Sequence, residues 1–174
     1  HLDDSACNLA SLNLLAFLAE PADGETHGFD VDDFCHAVEV VFTAQEILVG
    51  HADYPTPAIA ETTRAFRQLG LGYANLGAVL MALGMPYDSE AGRSVASAIT
   101  SLMTGHAYLT SARMAEHLGP FDGFATNRGP TLAVLERHRA AAETLDDSDI
   151  PALVDAGSRA WSEACELAGR VGVR

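Results

Sequence analysis

The sequence predicts a mainly α-helical chain with one short strand near its N-terminus, and three observations carry that expectation. Apolar residues Phe34, Val38, Val41, Phe42, Leu48 and Val49 recur at helical spacing across residues 30–50. Proline, glycine and short polar residues then punctuate the chain at intervals that suit further helices. Only the stretch from Ser5 to Leu14 reads as extended.

In chain order, residues 5–14 form a short buried strand running into a turn or a helical start. Ala6, Leu9, Leu12 and Leu14 are positions that pack, whereas Cys7, Asn8, Ser11 and Asn13 need polar partners or a cavity. Glu20 to Gly24 ends this element, and residues 20–29 form a polar loop. Asp30 caps the helix over 30–50, with Asp32 and Asp33 at its positive end. The pair Thr56-Pro57 starts a helix over 57–69: threonine suits the cap and proline the first helical position. Gly70-Leu71-Gly72 reads as a tight link to a small-residue helix over 73–83, placed centrally in the core. Ser89 and Glu90 open the longest helix, 89–118, which Gly119-Pro120 stops. Residues 121–128 form a loop in which Phe121 and Phe124 dock on the core; Pro130 opens a helix to about 142, residues 146–149 turn at the surface, and Pro151 opens a last helix ending near Gly169. No second strand and no tandem repeat is expected.

At 174 residues and 48% hydrophobic composition, the chain is long enough for one domain with its own core. Its formal net charge of −14 opposes binding to nucleic acid or an anionic membrane, since either needs a basic surface. The ten basic residues are all arginine. Apolar runs stop well short of the ~20 residues a membrane span requires, and the N-terminus lacks a secretory pattern. Three widely spaced cysteines do not make a secreted disulfide scaffold or a zinc site, so a reducing, cytoplasmic setting is expected.

Cys7, between a small residue and an amide, is the candidate catalytic residue; its local sequence suits a redox thiol and a packing residue alike. Cys35 and Cys165 read as core residues. Cys35 and His36 point about 100° apart on a helix, which places them poorly for joint metal ligation, and no histidine recurs at the i, i+4 spacing with a glutamate that metalloproteases use. His106 and Tyr108 form a mid-helix polar pair that can line a cavity, although a structural role is preferred. Gly70-x-Gly72 with Gly77 is set aside as a phosphate fingerprint because it follows a predicted helix. The acidic turn at 146–149 reads as solvated, and Asn8 and Asn13 as backbone-satisfying or substrate-facing amides.

Ser5-Ala6-Cys7-Asn8-Leu9-Ala10-Ser11-Leu12-Asn13-Leu14 resembles the segment bearing one redox cysteine in the large chain of ribonucleotide reductases, most of all the adenosylcobalamin-dependent (class II) enzymes. The likeness continues through residues 54–60, 66–77, 84–90 and 119–123, in the family's order and spacing. No one block is specific; the ordered set is. The resemblance implies that residues 1–174 are a single, mainly helical fragment of the ten-stranded α/β reductase barrel, with 1–19 the redox-cysteine segment and 30–171 the helical region.

It further implies that Cys7 is one of two thiols supplying electrons when the ribose 2′-hydroxyl leaves. The radical cysteine and glutamate of an Asn-x-Cys-x-Glu motif are expected before His1, and a phosphate-binding loop after Arg174. The partners implied are a ribonucleotide, the rest of the catalytic chain and a thioredoxin-like reductant; the cofactor is adenosylcobalamin, in the full-length protein, with no metal site here. Alternatives are a helical interaction domain in which Cys7 only packs, and a fragment of an iron-dependent class I reductase.

Overall fold

The computed structural model describes residues 2–19, 28–145 and 150–174. Strand β1 spans Asn8–Asn13 and runs into a 3-10 turn, Leu14–Phe17; β2 is Leu18–Ala19 and β3 Gly28–Phe29. Helices α1 (Val31–His51) and α2 (Pro57–Phe66) precede β4 (Leu69–Ala74), which leads through α3 (Leu76–Ala82) to α4 (Glu90–Leu118), α5 (Phe124–Ala142) and α6 (Pro151–Val171). The polar loop is described only at 28–29, where β3 lies, and the acidic turn at 146–149 lies outside the described residues.

Helix starts follow their caps. The Asp33 N–H donates to the Asp30 carboxylate at 2.9 Å, and the Ile59 N–H to the Thr56 hydroxyl at 3.3 Å with Pro57 in the first turn. Ser89 receives the Gly92 N–H at 3.0 Å and opens α4. The mainly helical expectation holds.

The principal correction concerns residues 67–75. β1 and β4 pair in parallel, from Asn8 opposite Leu69 to Asn13 opposite Ala74, so Gly70-Leu71-Gly72 is strand and not a link between helices. A parallel pair needs a long crossover, which α1 and α2 provide. The glycines lower intrinsic strand preference, which is why the sequence reads otherwise. Their use is across the register: a Cβ at Gly70 would stand 2.4 Å from the Leu9 side chain and 3.5 Å from the Cys7 sulfur. Helix α2 ends at Phe66 because Arg67 turns into the left-handed region at φ 49°. Asn75, also left-handed, separates β4 from α3 and donates to the Asn13 side chain at 2.8 Å. A second, antiparallel pair sets Leu18 against Phe29.

Two further boundaries move. Helix α5 starts at Phe124, within the expected loop, and carries Pro130 in its interior. Tertiary anchors hold its first turns: Phe124 is buried edge-on to Phe121, and Arg128 donates to the Gly169 carbonyl at 2.6 Å. Helix α6 runs past Gly169 to Val171 and stops at Gly172, whose φ of 86° favours glycine and whose missing Cβ leaves room for Phe124 and Pro120.

The core forms two buried clusters along α4. Near its N-terminal half, Val95, Ile99 and Leu102 meet Leu14, Phe34, Val38, Val79 and Leu80. Near its C-terminal half, Leu109 and Ala112 join Phe124, Leu135, Trp161 and Leu167. Helix α4 is therefore the central element; α3, expected there, buries Val79 and Leu80 but leaves Met81 exposed.

The tightest meeting of α4 and α6 is Gly105 beneath Trp161, where a Cβ would stand 3.0 to 3.2 Å from indole atoms. Trp161 is fully buried and stacked on His138 at 5.3 Å, so it has little room to retreat. Gly105→Ala is expected to lower stability by about 1 kcal/mol, overpacking outweighing alanine's helical preference. Urea unfolding checks this; a more stable variant would show that the indole can shift.

Candidate active site

Cys7 enters β1 from its N-terminal side, where the Ala6 N–H donates to the buried Thr63 hydroxyl at 2.8 Å. The Cys7 Sγ–H donates to the Asn8 carbonyl at 3.6 Å. That carbonyl also accepts from Gln45 Nε2 at 3.2 Å, and the same nitrogen donates to the Gly70 carbonyl at 2.8 Å. Asn8 Nδ2 returns a bond to the Gln45 carbonyl at 3.2 Å. One side chain of α1 thus ties both strands together beside the thiol.

Cys7 is half-buried, and it lines a cavity of about 570 Å³ together with Arg67, Gln68, Tyr108, Ser111 and Arg174. Burial pushes the thiol above its ordinary value, so at neutral pH it is protonated. Cys7 therefore stands at the edge of a cavity and is only partly buried.

Behind the cavity wall lies the buried carboxylate of Glu46. Arg67 Nε reaches its two oxygens at 2.7 and 2.8 Å, and Arg67 Nη2 donates to the Glu46 backbone carbonyl at 2.9 Å. Arg174 Nε reaches Glu46 Oε1 at 2.6 Å, while Ser111 holds the Arg174 backbone at both N–H and carbonyl. Two guanidinium groups share one carboxylate, leaving the wall with a net positive charge in an otherwise acidic chain. Sequence reasoning missed Gln45, Glu46, Arg67 and Arg174. A signal existed for the first two: residues 42, 45, 46 and 49 share the inner face of α1, and 45 and 46 are its polar members. Leu48, counted on that face, is instead exposed.

The other sequence candidates separate from this site. Cys35 packs against the first core cluster and Cys165 against the second; neither lines the cavity. Burial and Asp32, opposed by Arg159, push the Cys35 thiol up to about 11. Tyr108 lines the cavity and His106 does not. Asn13 caps the 3-10 turn by accepting from the Leu15 N–H at 3.2 Å. Gly70-x-Gly72 does follow a helix, but as part of a strand that itself runs into α3. The dinucleotide reading fails on different grounds, since these glycines lie within the strand and not in the turn after it. Among the described residues, no three His, Cys, Asp or Glu side chains are grouped to hold a metal ion, and no helix is long and apolar enough to cross a membrane.

The family model described as "Ribonucleotide reductase, barrel domain" matches residues 1–174. The chain belongs to the ribonucleotide reductase family. The vitamin B12-dependent ribonucleotide reductase of Streptomyces coelicolor is 50% identical, covering 100% of this chain and 18% of the relative. That of Rhodopirellula baltica is 44% identical, covering 99% of this chain and 16% of the relative. The vitamin B12-dependent ribonucleoside-diphosphate reductase of Mycobacterium tuberculosis is 35% identical over 71% of this chain and 17% of its own length. This reductase chain therefore spans under a fifth of the length of these curated relatives.

Two properties of this piece of the reductase follow from its buried charges. Glu46→Gln strands two arginines at a site where the Glu46 side chain is 4% and the Arg67 side chain 9% exposed; a loss of about 3 kcal/mol in urea unfolding is expected. Glu136→Gln, which breaks an exposed pair with Arg139, serves as a control and should change stability by under about 1 kcal/mol. Equal losses would contradict the role given to Glu46.

His106 Nε2 is buried without a hydrogen-bond partner, 4.0 Å from the Glu39 carboxylate. Burial and then Arg113 hold its imidazole below the ordinary value of 6.5, against Glu39 and Glu163. The unfolded chain therefore takes up a proton that the folded chain resists. Stability from this residue is complete above pH 6.5 and falls as pH drops below it, until the lower folded value is passed. His106→Leu should flatten the acid limb of a stability-against-pH curve, and an unaltered slope would contradict this assignment.

Proposed function

We propose that this chain is one part of the catalytic domain of an adenosylcobalamin-dependent ribonucleotide reductase, and that Cys7 is one thiol of its redox pair. The observation that carries this reading is that the cysteine within the family's segment opens onto a cavity, while the other two cysteines pack into the core. A volume of about 570 Å³ falls in the range that takes small ligands. In the full-length protein, Cys7 and a second thiol from outside this chain become a disulfide; the ribose 2′ carbon exchanges its hydroxyl for hydrogen, and water leaves. The pair's two electrons and two hydrogens balance that exchange.

This chain's share of the chemistry is to hold Cys7 protonated, as burial does, at the edge of the space where the sugar is to lie. The net positive wall suits an anionic substrate, a ribonucleoside di- or triphosphate. Residues 1–174 act as a single unit that contributes to the ten-stranded barrel and is inactive alone. The remainder of the catalytic chain supplies the partner thiol, the radical site and the phosphate loop. A thioredoxin-like dithiol protein of the cytoplasm restores the thiols by exchange. Adenosylcobalamin supplies radical chemistry when bound. The lining beside Cys7 offers no histidine or other group that would single it out as a corrin site, so no residue of this chain is assigned to hold it.

Mass spectrometry of the full-length protein after one turnover without external reductant is the test. Cys7 is expected in a disulfide, and Cys7→Ser is expected to fold normally and lose multiple-turnover activity. Cys7 recovered as a free thiol, with full activity in the variant, would remove its role. Activity that needs a second radical-generating subunit and ignores added adenosylcobalamin would move the protein to the iron-dependent class.

A further inference from the structure

We propose that Gln45 is a positioning residue for the Cys7 thiol, its side-chain N–H occupying the same Asn8 carbonyl to which the thiol donates. Gln45 is buried on the inner face of α1 and is held from two sides: Nε2 spans the Asn8 and Gly70 carbonyls at 3.2 and 2.8 Å, and its own backbone carbonyl takes Asn8 Nδ2 at 3.2 Å. The thiol reaches that Asn8 oxygen at 3.6 Å.

A carbonyl serving two donors holds each less tightly than it would hold one. An S–H bound to a carbonyl is stabilised in its neutral form, so the strength of this bond sets how readily sulfur ionises or turns away. By loading the carbonyl, Gln45 loosens the thiol, and by bridging β1 to β4 it fixes where the thiol turns. The charged and titratable groups on the cavity with Cys7 are Arg67, Tyr108 and Arg174, with Glu46 of α1 behind the two arginines. The ion pairs of Arg67 and Arg174 run to the Glu46 carboxylate and not to the Gln45 bridge, so the donor removed at residue 45 is one that the Asn8 and Gly70 carbonyls alone receive. The catalytic consequence, that Gln45 eases the release of Cys7 into the cavity, rests on the reading of Cys7 as a redox thiol; the hydrogen-bond competition does not.

The test uses the reduced full-length protein without substrate. Iodoacetamide labelling of the Cys7 peptide is followed by mass spectrometry across a pH series. Gln45→Met keeps the volume and removes the donor, and is expected to move the midpoint upward and slow labelling at pH 8 roughly threefold. Gln45→His retains a ring N–H and should stay near the unsubstituted protein. Should Gln45→Met fail to fold, Gln45→Leu is the second donor-free variant. An unmoved midpoint, faster labelling in the donor-free variant, or an equal response of both variants overturns the proposal. A moved midpoint supports it whether or not Cys7 forms a disulfide in turnover, so the two readings fail separately.

Discussion

One side-chain amide, that of Gln45, donates to carbonyls on both strands of a sheet that is two strands wide among the described residues, at 3.2 Å to Asn8 and 2.8 Å to Gly70. Two parallel strands have little stability by themselves and need a covering layer. Helix α1 is that layer, and its inner face combines apolar anchors at Phe34, Val38 and Phe42 with the polar pair Gln45 and Glu46. The apolar part buries the sheet; the polar part decides how the strands are held at the end that carries Cys7. Glu46 extends the hold by gathering Arg67, ahead of β4, and Arg174 beyond α6, so that three distant stretches of chain converge on one carboxylate.

The chemistry depends on this bracing. In the role proposed for Cys7, a thiol that gives up hydrogen needs protection from premature ionisation and an open side towards its substrate. Burial keeps Cys7 protonated, with its Sγ–H donated to the Asn8 carbonyl, and the cavity supplies the open side. Gly70 contributes by omission, since its lack of a side chain lets the sulfur and Leu9 lie over the β4 backbone. Cys35 and Cys165, packed against separate clusters, do not line this cavity.

Much of this was legible in the residues. Asp30, Thr56 and Ser89 announced their helices because capping is local, and the order of short motifs around Cys7 pointed to the reductase family. Strand β4 was not legible, because Leu69 to Ala74 becomes extended through its pairing with β1, some sixty residues earlier, and glycine gives no local sign of that. Pro130 misled for the same reason: a proline normally marks a helix start, but here the anchoring of Phe124 and Arg128 on the end of α6 sustains the turns before it. The arginines of the site were invisible singly. They acquire meaning only when folding brings both to Glu46, whose place on the apolar face of α1 was the one available hint.

Amide hydrogen exchange on the full-length protein tests the central claim most directly, because it asks whether the glycine-rich stretch is truly a strand held against the Cys7 segment. If α1 and β1 hold it as described, interior amides of residues 69–74 exchange as slowly as those of 8–13, and the two stretches open together. Rapid exchange at 69–74 beside a protected 8–13 would contradict the account, since the thiol would then lack the support on which its placement depends.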